Sequence, residues 1–167
     1  PTELTWYLVG NFNGWTVADA AYTMTKEAEW FVFKGFVADG DGFKFNAGSW
    51  DINRGATGDV EPFELSANTE YEIVANGKNF SIAAGTYDVY LDEVNAKAWF
   101  INDGTYPGGG AAKVESERGL IGSLVACNNW GKNVKLFVDG DYSVAKGVEF
   151  AAGDQFKFRK GEAWGTE

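Results

Sequence analysis

The sequence predicts an all-β chain built from β-sandwich modules, and three observations carry that prediction. Trp, Tyr and Phe make up 16% of the 167 residues, with seven Trp, and Gly is high at 22. Strands favour the aromatics and tight turns favour the glycines. Short apolar runs alternate with turn signals, and no stretch reads as a convincing amphipathic helix. A block of the first half also returns later in the chain in the same order, which is the mark of an internal repeat.

The strands follow in sequence. Leu4 to Val9 is a short apolar run, closed by the turn-rich Gly10-Asn11-Phe12-Asn13-Gly14. The stretch Ala18 to Ala28 comes nearest to a helix but is short and rich in Thr. Trp30-Phe31-Val32-Phe33 is a strand stopped by Lys34-Gly35. Asp39-Gly40-Asp41-Gly42 resembles a piece of a calcium loop but lacks the twelve-residue pattern, so it reads as a hairpin turn. Phe43-Lys44-Phe45-Asn46 alternates at period two, which turns both Phe inward and Lys44 and Asn46 outward. Tyr71-Glu72-Ile73-Val74, Asn79-Phe80-Ser81-Ile82, Thr86 to Leu91 and Lys97 to Ile101 complete roughly seven strands in the first hundred residues, enough for one sandwich.

Asn102-Asp103-Gly104-Thr105-Tyr106-Pro107-Gly108-Gly109-Gly110 carries turn chemistry only and reads as a linker. The expected organisation is a complete module over 1–102, a Gly-rich linker over 103–117, and the first part of a second, homologous module over 118–167. Leu124-Val125-Ala126-Cys127-Asn128-Asn129-Trp130 matches Leu8 to Trp15. Tyr142 to Gly147 matches Trp30 to Gly35. Phe156-Lys157-Phe158-Arg159 matches Phe43-Lys44-Phe45-Asn46, and a Trp follows each block, Trp50 and Trp164. The second copy stops soon after Trp164, so the chain reads as a fragment of a longer protein with a processed or trimmed start.

Composition excludes several functions. Without His there is no Ser-His-Asp or Cys-His nucleophile and no His-ligated metal. A single Cys, Cys127, forms no intrachain disulfide and reads as a small buried hydrophobe. A net charge of −10 disfavours nucleic acid and anionic membranes as partners. No apolar run is long enough to span a bilayer. No cofactor, metal site or catalytic residue is expected.

The recurrent polar and aromatic set points elsewhere. In the first copy it is Trp15, Lys44, Asn46, Trp50 and Asn53; in the second it is Trp130, Lys157, Arg159 and Trp164. Trp15 and Trp50 lie in Asn/Gly-rich loops, where stacking on a ligand is favoured over core packing. Trp6, Trp30 and Trp99 lie in strands and read as packing. Lys44 and Lys157 would be ordinary solvated lysines on their own; recurrence beside the Trp pair brings the ligand reading level with that one. Flat indole faces match the apolar face of a pyranose ring, and amide or cationic donors reach its hydroxyls. An enzyme would need a carboxylate pair, and no acid stands out beside the repeated Trp positions, Asp51 being nearest.

These residues carry a resemblance. Tyr7-Leu8-Val9-Gly10-Asn11-Phe12-Asn13-Gly14-Trp15, Phe43-Lys44-Phe45, Gly48-Ser49-Trp50-Asp51-Ile52-Asn53 and Gly85 to Leu91 resemble the tandem carbohydrate-binding domains of SusE/SusF-type proteins of Bacteroidetes. Gly119 to Ser123 and Gly153 to Arg159 are similar too, so the resemblance covers nearly all of 4–101 and 119–167. The style is shared with early-set starch-binding domains of glycogen-branching and debranching enzymes. The resemblance implies an immunoglobulin-like sandwich per module and non-catalytic binding of starch or maltooligosaccharide α-glucan. It implies a platform of Trp15 and Trp50 with Lys44 and Asn53 as donors, and a second set of Trp130, Trp164, Lys157 and Arg159. It further implies a lipid anchor outside this fragment, the extracellular face of the outer membrane, and an outer-membrane glycan transporter complex as partner. Two alternatives stand beside it: an accessory module of a glycoside hydrolase, and a structural spacer or adhesin domain without a sugar site.

Overall fold

A computed structural model describes residues 3–109, 114–139 and 141–161. The chain divides into two compact units, and regular structure among the described residues is strand or short 3-10 turn. The first unit holds β1 (Tyr7–Gly10), β2 (Thr25–Glu27), β3 (Trp30–Ala38), β4 (Phe43–Asn46), β5 (Asn53–Ala56), β6 (Phe63–Leu65), β7 (Glu70–Ala75), β8 (Phe80–Ile82), β9 (Gly85–Asp92) and β10 (Lys97–Ile101). The order is β2-β3-β9-β10-β7-β5-β4-β8-β6, with β1 pairing β4.

This sheet folds on itself through β7. Glu70, Tyr71 and Glu72 pair with β10, whereas Ile73, Val74 and Ala75 pair with β5. A flat sheet would hold β4 roughly 14 Å from β10, three strand spacings away. The Phe43 and Phe100 ring centroids are instead 5.6 Å apart, and those of Phe45 and Phe100 6.1 Å. The two halves therefore face each other across one core, as the expected sandwich requires. Trp6, Leu8, Phe36, Phe43, Phe45, Phe80 and Phe100 fill it. A smaller cluster of Trp30, Val32, Tyr90, Trp99 and Ile101 covers the outer face of β3, β9 and β10.

Several elements differ from expectation. The strand opened by Trp30 does not stop at Lys34-Gly35. It continues to Ala38 through a bulge at which Gly35 takes φ 71° and donates to Asp88 Oδ1 at 3.0 Å. Asn46 lies on the outer face of β4, yet it is fully buried rather than solvent-facing, because the loop 47–52 folds over it. Strand β5, Asn53-Arg54-Gly55-Ala56, has no strand-like composition. It forms because Gly55 lets the backbone of Gly77 and Lys78 approach; a Cβ there would lie 2.3 Å from Lys78 O. Tyr106, inside the expected linker, packs on Trp30 and Tyr90 at 6.1 and 5.7 Å.

The second unit carries β11 (Glu115–Gly122), β12 (Val134–Asp139), β13 (Tyr142–Val144) and β14 (Phe156–Lys160), in the order β13-β12-β11-β14. Its buried cluster is Leu120, Leu124 and Cys127. The Cys127 thiol is buried, its pKa pushed up by that burial. Phe150, Phe156 and Phe158 form an exposed ring cluster, with centroids 5.2 and 5.9 Å apart.

The registers of the two units correspond. Leu8 opposes Phe45 and Gly10 opposes Phe43; Leu120 opposes Phe158 and Gly122 opposes Phe156. The counterpart of Leu8-Val9-Gly10 is thus Leu120-Ile121-Gly122, not Leu124-Val125-Ala126 as the sequence match suggests. The turn leading to Trp130 is three residues longer than the one leading to Trp15.

Candidate functional site

The outer face of β4 supports the candidate site in the first unit. Alternation puts Gly42, Lys44 and Asn46 on that face, opposite the buried Phe43 and Phe45. One loop rises over each end of this stripe.

The loop after β1 carries Trp15. Gly10 starts it, where a Cβ would meet Gly42 O and Phe43 Cβ at 2.6 Å. Asn13 then ties the loop together: Gly10 N donates to Asn13 Oδ1 at 3.1 Å, and Asn13 Nδ2 donates to Thr16 O and Asp19 Oδ2. Trp15 itself takes φ 61°, rare for a bulky residue, while its N–H donates to Gly10 O at 2.9 Å. Its Nε1 donates to Asn11 Oδ1 at 2.7 Å, so the indole's orientation is set within the loop.

The β4–β5 loop carries Trp50. Ala47 N donates to Ile52 O, closing it at the base. Asn46 Oδ1 accepts from Gly48 N at 2.9 Å. Asn53, opposite Asn46 in register, donates from Nδ2 to Trp50 O and to Asn76 Oδ1, both at 2.8 Å. Buried asparagines commonly serve this way, replacing the backbone partners a tight loop leaves orphaned.

The two loops bring the indoles together. The Trp15 and Trp50 ring centroids lie 6.2 Å apart with planes inclined by 38°. Trp50 is 45% exposed and Trp15 is half-buried. Lys44 lies between the two ends of the stripe and is half-buried. Burial holds its ammonium below the usual lysine range; Glu61 works against that shift and Lys78 adds to it. Lys78 and Glu61 are themselves paired at 3.6 Å.

Of the residues expected from sequence, Trp15, Trp50 and Lys44 share this surface. Asn53 is in the same place but beneath it, with its amide donors engaged in the Trp50 loop. In the second unit, Trp130 repeats the unusual backbone, with φ 68° and its N–H on Gly122 O at 2.6 Å. Lys157 and Arg159 alternate onto one face of β14, opposite Ile121 and Gly119. Arg159 Nε donates to Asn133 Oδ1 at 2.7 Å. Trp164 lies outside the described residues. Sequence reading missed Asn11 and Asn76, which accept from Trp15 Nε1 and Asn53 Nδ2. The repeated Asn of the Asn-x-Asn-Gly-Trp run was the available signal for the first. The second is brought in only by the fold.

Chemically the surface offers two inclined aromatic faces, carried by the loops that flank the strand face bearing Lys44. Among the described residues no group of His, Cys, Asp and Glu is placed to hold a metal ion.

No protein-family model and no curated protein matches the chain. Among solved structures the chain is similar to that of SusF from Bacteroides thetaiotaomicron, at 22% identity and a TM-score of 0.45, over 96% of this chain and 37% of that one.

Proposed function

We propose that the first unit is a non-catalytic glycan-binding module whose platform is Trp15 and Trp50, with starch-like α-glucan as its ligand. The observation that carries this is the indole pair, 6.2 Å apart and inclined by 38°. A bulky residue in left-handed backbone and a solvent-exposed indole are both unfavourable for folding alone, and such features collect at binding sites. The spacing is comparable to one hexose unit. The inclination suits a chain whose successive sugar faces turn, as in α-1,4-glucan, over a flat β-1,4 ribbon.

Lys44 supplies the cationic donor, and Asn53 acts by holding the Trp50 loop. Trp130, Lys157, Arg159 and Trp164 form the second set in a homologous module, so that two weak sites on one polymer gain avidity from effective concentration. Each shallow site binds on the order of micromolar to millimolar. In this reading the protein stands at the extracellular face of the outer membrane, lipid-anchored outside this chain, and holds glycan for a transporter complex.

Calorimetric titration with maltoheptaose tests this, with cellohexaose and xylohexaose as controls. Heat from the maltooligosaccharide alone, abolished in the Trp15→Ala/Trp50→Ala double variant, is expected. Binding unaffected by the double variant would overturn the platform assignment. Release of reducing ends from amylose would overturn the non-catalytic reading.

A further inference from the structure

The chain that follows β10 turns back onto the outer face of β3, β9 and β10. Trp30, Val32, Tyr90, Trp99 and Ile101 form the cluster there, and Tyr106 packs against it. Three fastenings hold residues 102–106 in that place. Asn68 Nδ2 donates to Asn102 Oδ1 at 2.9 Å, and Asn102 N donates to Asn68 Oδ1 at 3.0 Å, a reciprocal pair across 34 residues. Asp103 Oδ1 accepts from Thr105 N at 3.0 Å and from Thr105 Oγ1 at 2.6 Å, a local turn just before Tyr106. The Tyr106 ring then lies 6.1 Å from Trp30 and 5.7 Å from Tyr90, with Lys34 Nζ 5.2 Å from its centroid. Lys34 is held in turn by its 2.6 Å bond to Tyr90 Oη. The two sets of hydrogen bonds are solvent-exposed. What they and one aromatic side chain gain is set against the entropy of ordering residues 102–106, a cost of similar size. A segment balanced in this way opens at lower free energy than the sheet beneath it.

We propose that residues 102–106 are a clasp, closed over the outer aromatic face and able to open while the sandwich stays folded. The first module then ends at Tyr106 rather than at residue 102. Opening releases residues 102–106 as up to about 17 Å of further chain between the two modules. The clasp thereby sets how much chain links the two glycan sites, and so their effective concentration on one polymer. That consequence rests on the tandem-site reading; the clasp itself rests on the contacts above.

Amide hydrogen exchange of the full chain tests this, in the wild type and in Tyr106→Ala, Tyr106→Phe and Asn68→Gly. Asn68 takes φ 59°, so glycine removes its side-chain amide without opposing the backbone. Each variant is read at the fastening it does not touch. Tyr106→Ala should speed exchange of the Asn102 amide, and Asn68→Gly that of the Thr105 amide, each by about five- to tenfold, the worth of one ring contact or exposed bond. Protection of β9 and β10 should stay at the wild-type level, and Tyr106→Phe, which keeps the ring, should match the wild type throughout. No effect at the distant fastening would overturn the clasp. Loss of β9 and β10 protection in step with 102–106 would overturn it too, because the segment would then belong to the core. Maltoheptaose titration separates this from the glycan reading: Kd should be the same in all four proteins, and a wild-type chain that takes up no sugar would sink the glycan reading while exchange still decides the clasp.

Discussion

Asn53→Asp separates donor from shape beneath the Trp50 loop. Asn53 is buried, and its Nδ2 gives hydrogen bonds of 2.8 Å to Trp50 O and Asn76 Oδ1. Aspartate has the same outline but offers only acceptors when ionised. Two attractive contacts become repulsive ones. Losing two neutral bonds costs about 2 kcal/mol. Holding a carboxylate in that buried place adds desolvation, which brings the expected loss of unfolding free energy at pH 7 to about 3 kcal/mol or more. Asn53→Ala loses the same two bonds, but it also removes Oδ1, which is buried without a partner. That returns on the order of 1 kcal/mol and leaves a net loss of about 1 kcal/mol.

Urea unfolding followed by Trp fluorescence would resolve the two variants, since domains of this size are typically stable by about 5–15 kcal/mol. Burial raises the pKa of the introduced carboxyl, so toward pH 4 it takes up a proton and regains a donor. The gap between Asp and Ala should then narrow. Equal losses for the two variants at pH 7, or a gap that does not narrow on acidification, would refute this account of the loop.

Three further outcomes are expected. Gly10→Ala forces a methyl group to within 2.6 Å of Gly42 O and Phe43 Cβ and should cost about 1–3 kcal/mol in a thermal melt, whereas Gly42→Ala, with its nearest neighbour at 3.7 Å, should be close to neutral. Tyr106→Ala removes ring contacts to Trp30 and Tyr90 and a cation–π contact with Lys34 at 5.2 Å, so limited proteolysis within 102–109 should accelerate while the sandwich persists. Lys34 Nζ donates to Tyr90 Oη at 2.6 Å. The Tyr90 pKa is raised, chiefly by burial; burial works against Lys34, but the Tyr90 bond and nearby charges outweigh it and leave its pKa raised as well. The folded state thus keeps both protons longer than the unfolded chain. Their stabilisation is present below about pH 10 and lost as pH rises through the folded values. Lys44, lowered by burial, contributes with the opposite sign. Melting curves from pH 8 to 11 should therefore fall less steeply in Tyr90→Phe, and an unchanged slope would refute the pairing.

Much of the fold is legible from period and composition. The Phe43-Lys44-Phe45 alternation places both Phe in the core because a strand has only two faces and one of them is dry. The elements that escape such reading are those whose pairing, not propensity, makes them strands. Arg54 and Gly55 are poor strand formers, yet β5 completes the bridge between β4 and β7. The continuation of β3 past Gly35 depends on a bond to Asp88, 53 residues later in the chain. The correspondence of Gly10 with Gly122 is hidden by a longer turn and emerges only from strand register.

By itself the sequence determined the fold class, the inward Phe43 and Phe45 pair and the loop setting of Trp15 and Trp50, since these follow from local alternation and turn chemistry. Tertiary structure alone decided how the site is assembled. Trp15 and Trp50 are 35 residues apart, and only the folding of two loops over one strand brings their rings to 6.2 Å. Asn46 and Asn53 look like surface amides in sequence but become the buried props of the Trp50 loop, because cross-strand register sets them opposite each other. Each of these depends on contacts distant in sequence, which local pattern does not encode.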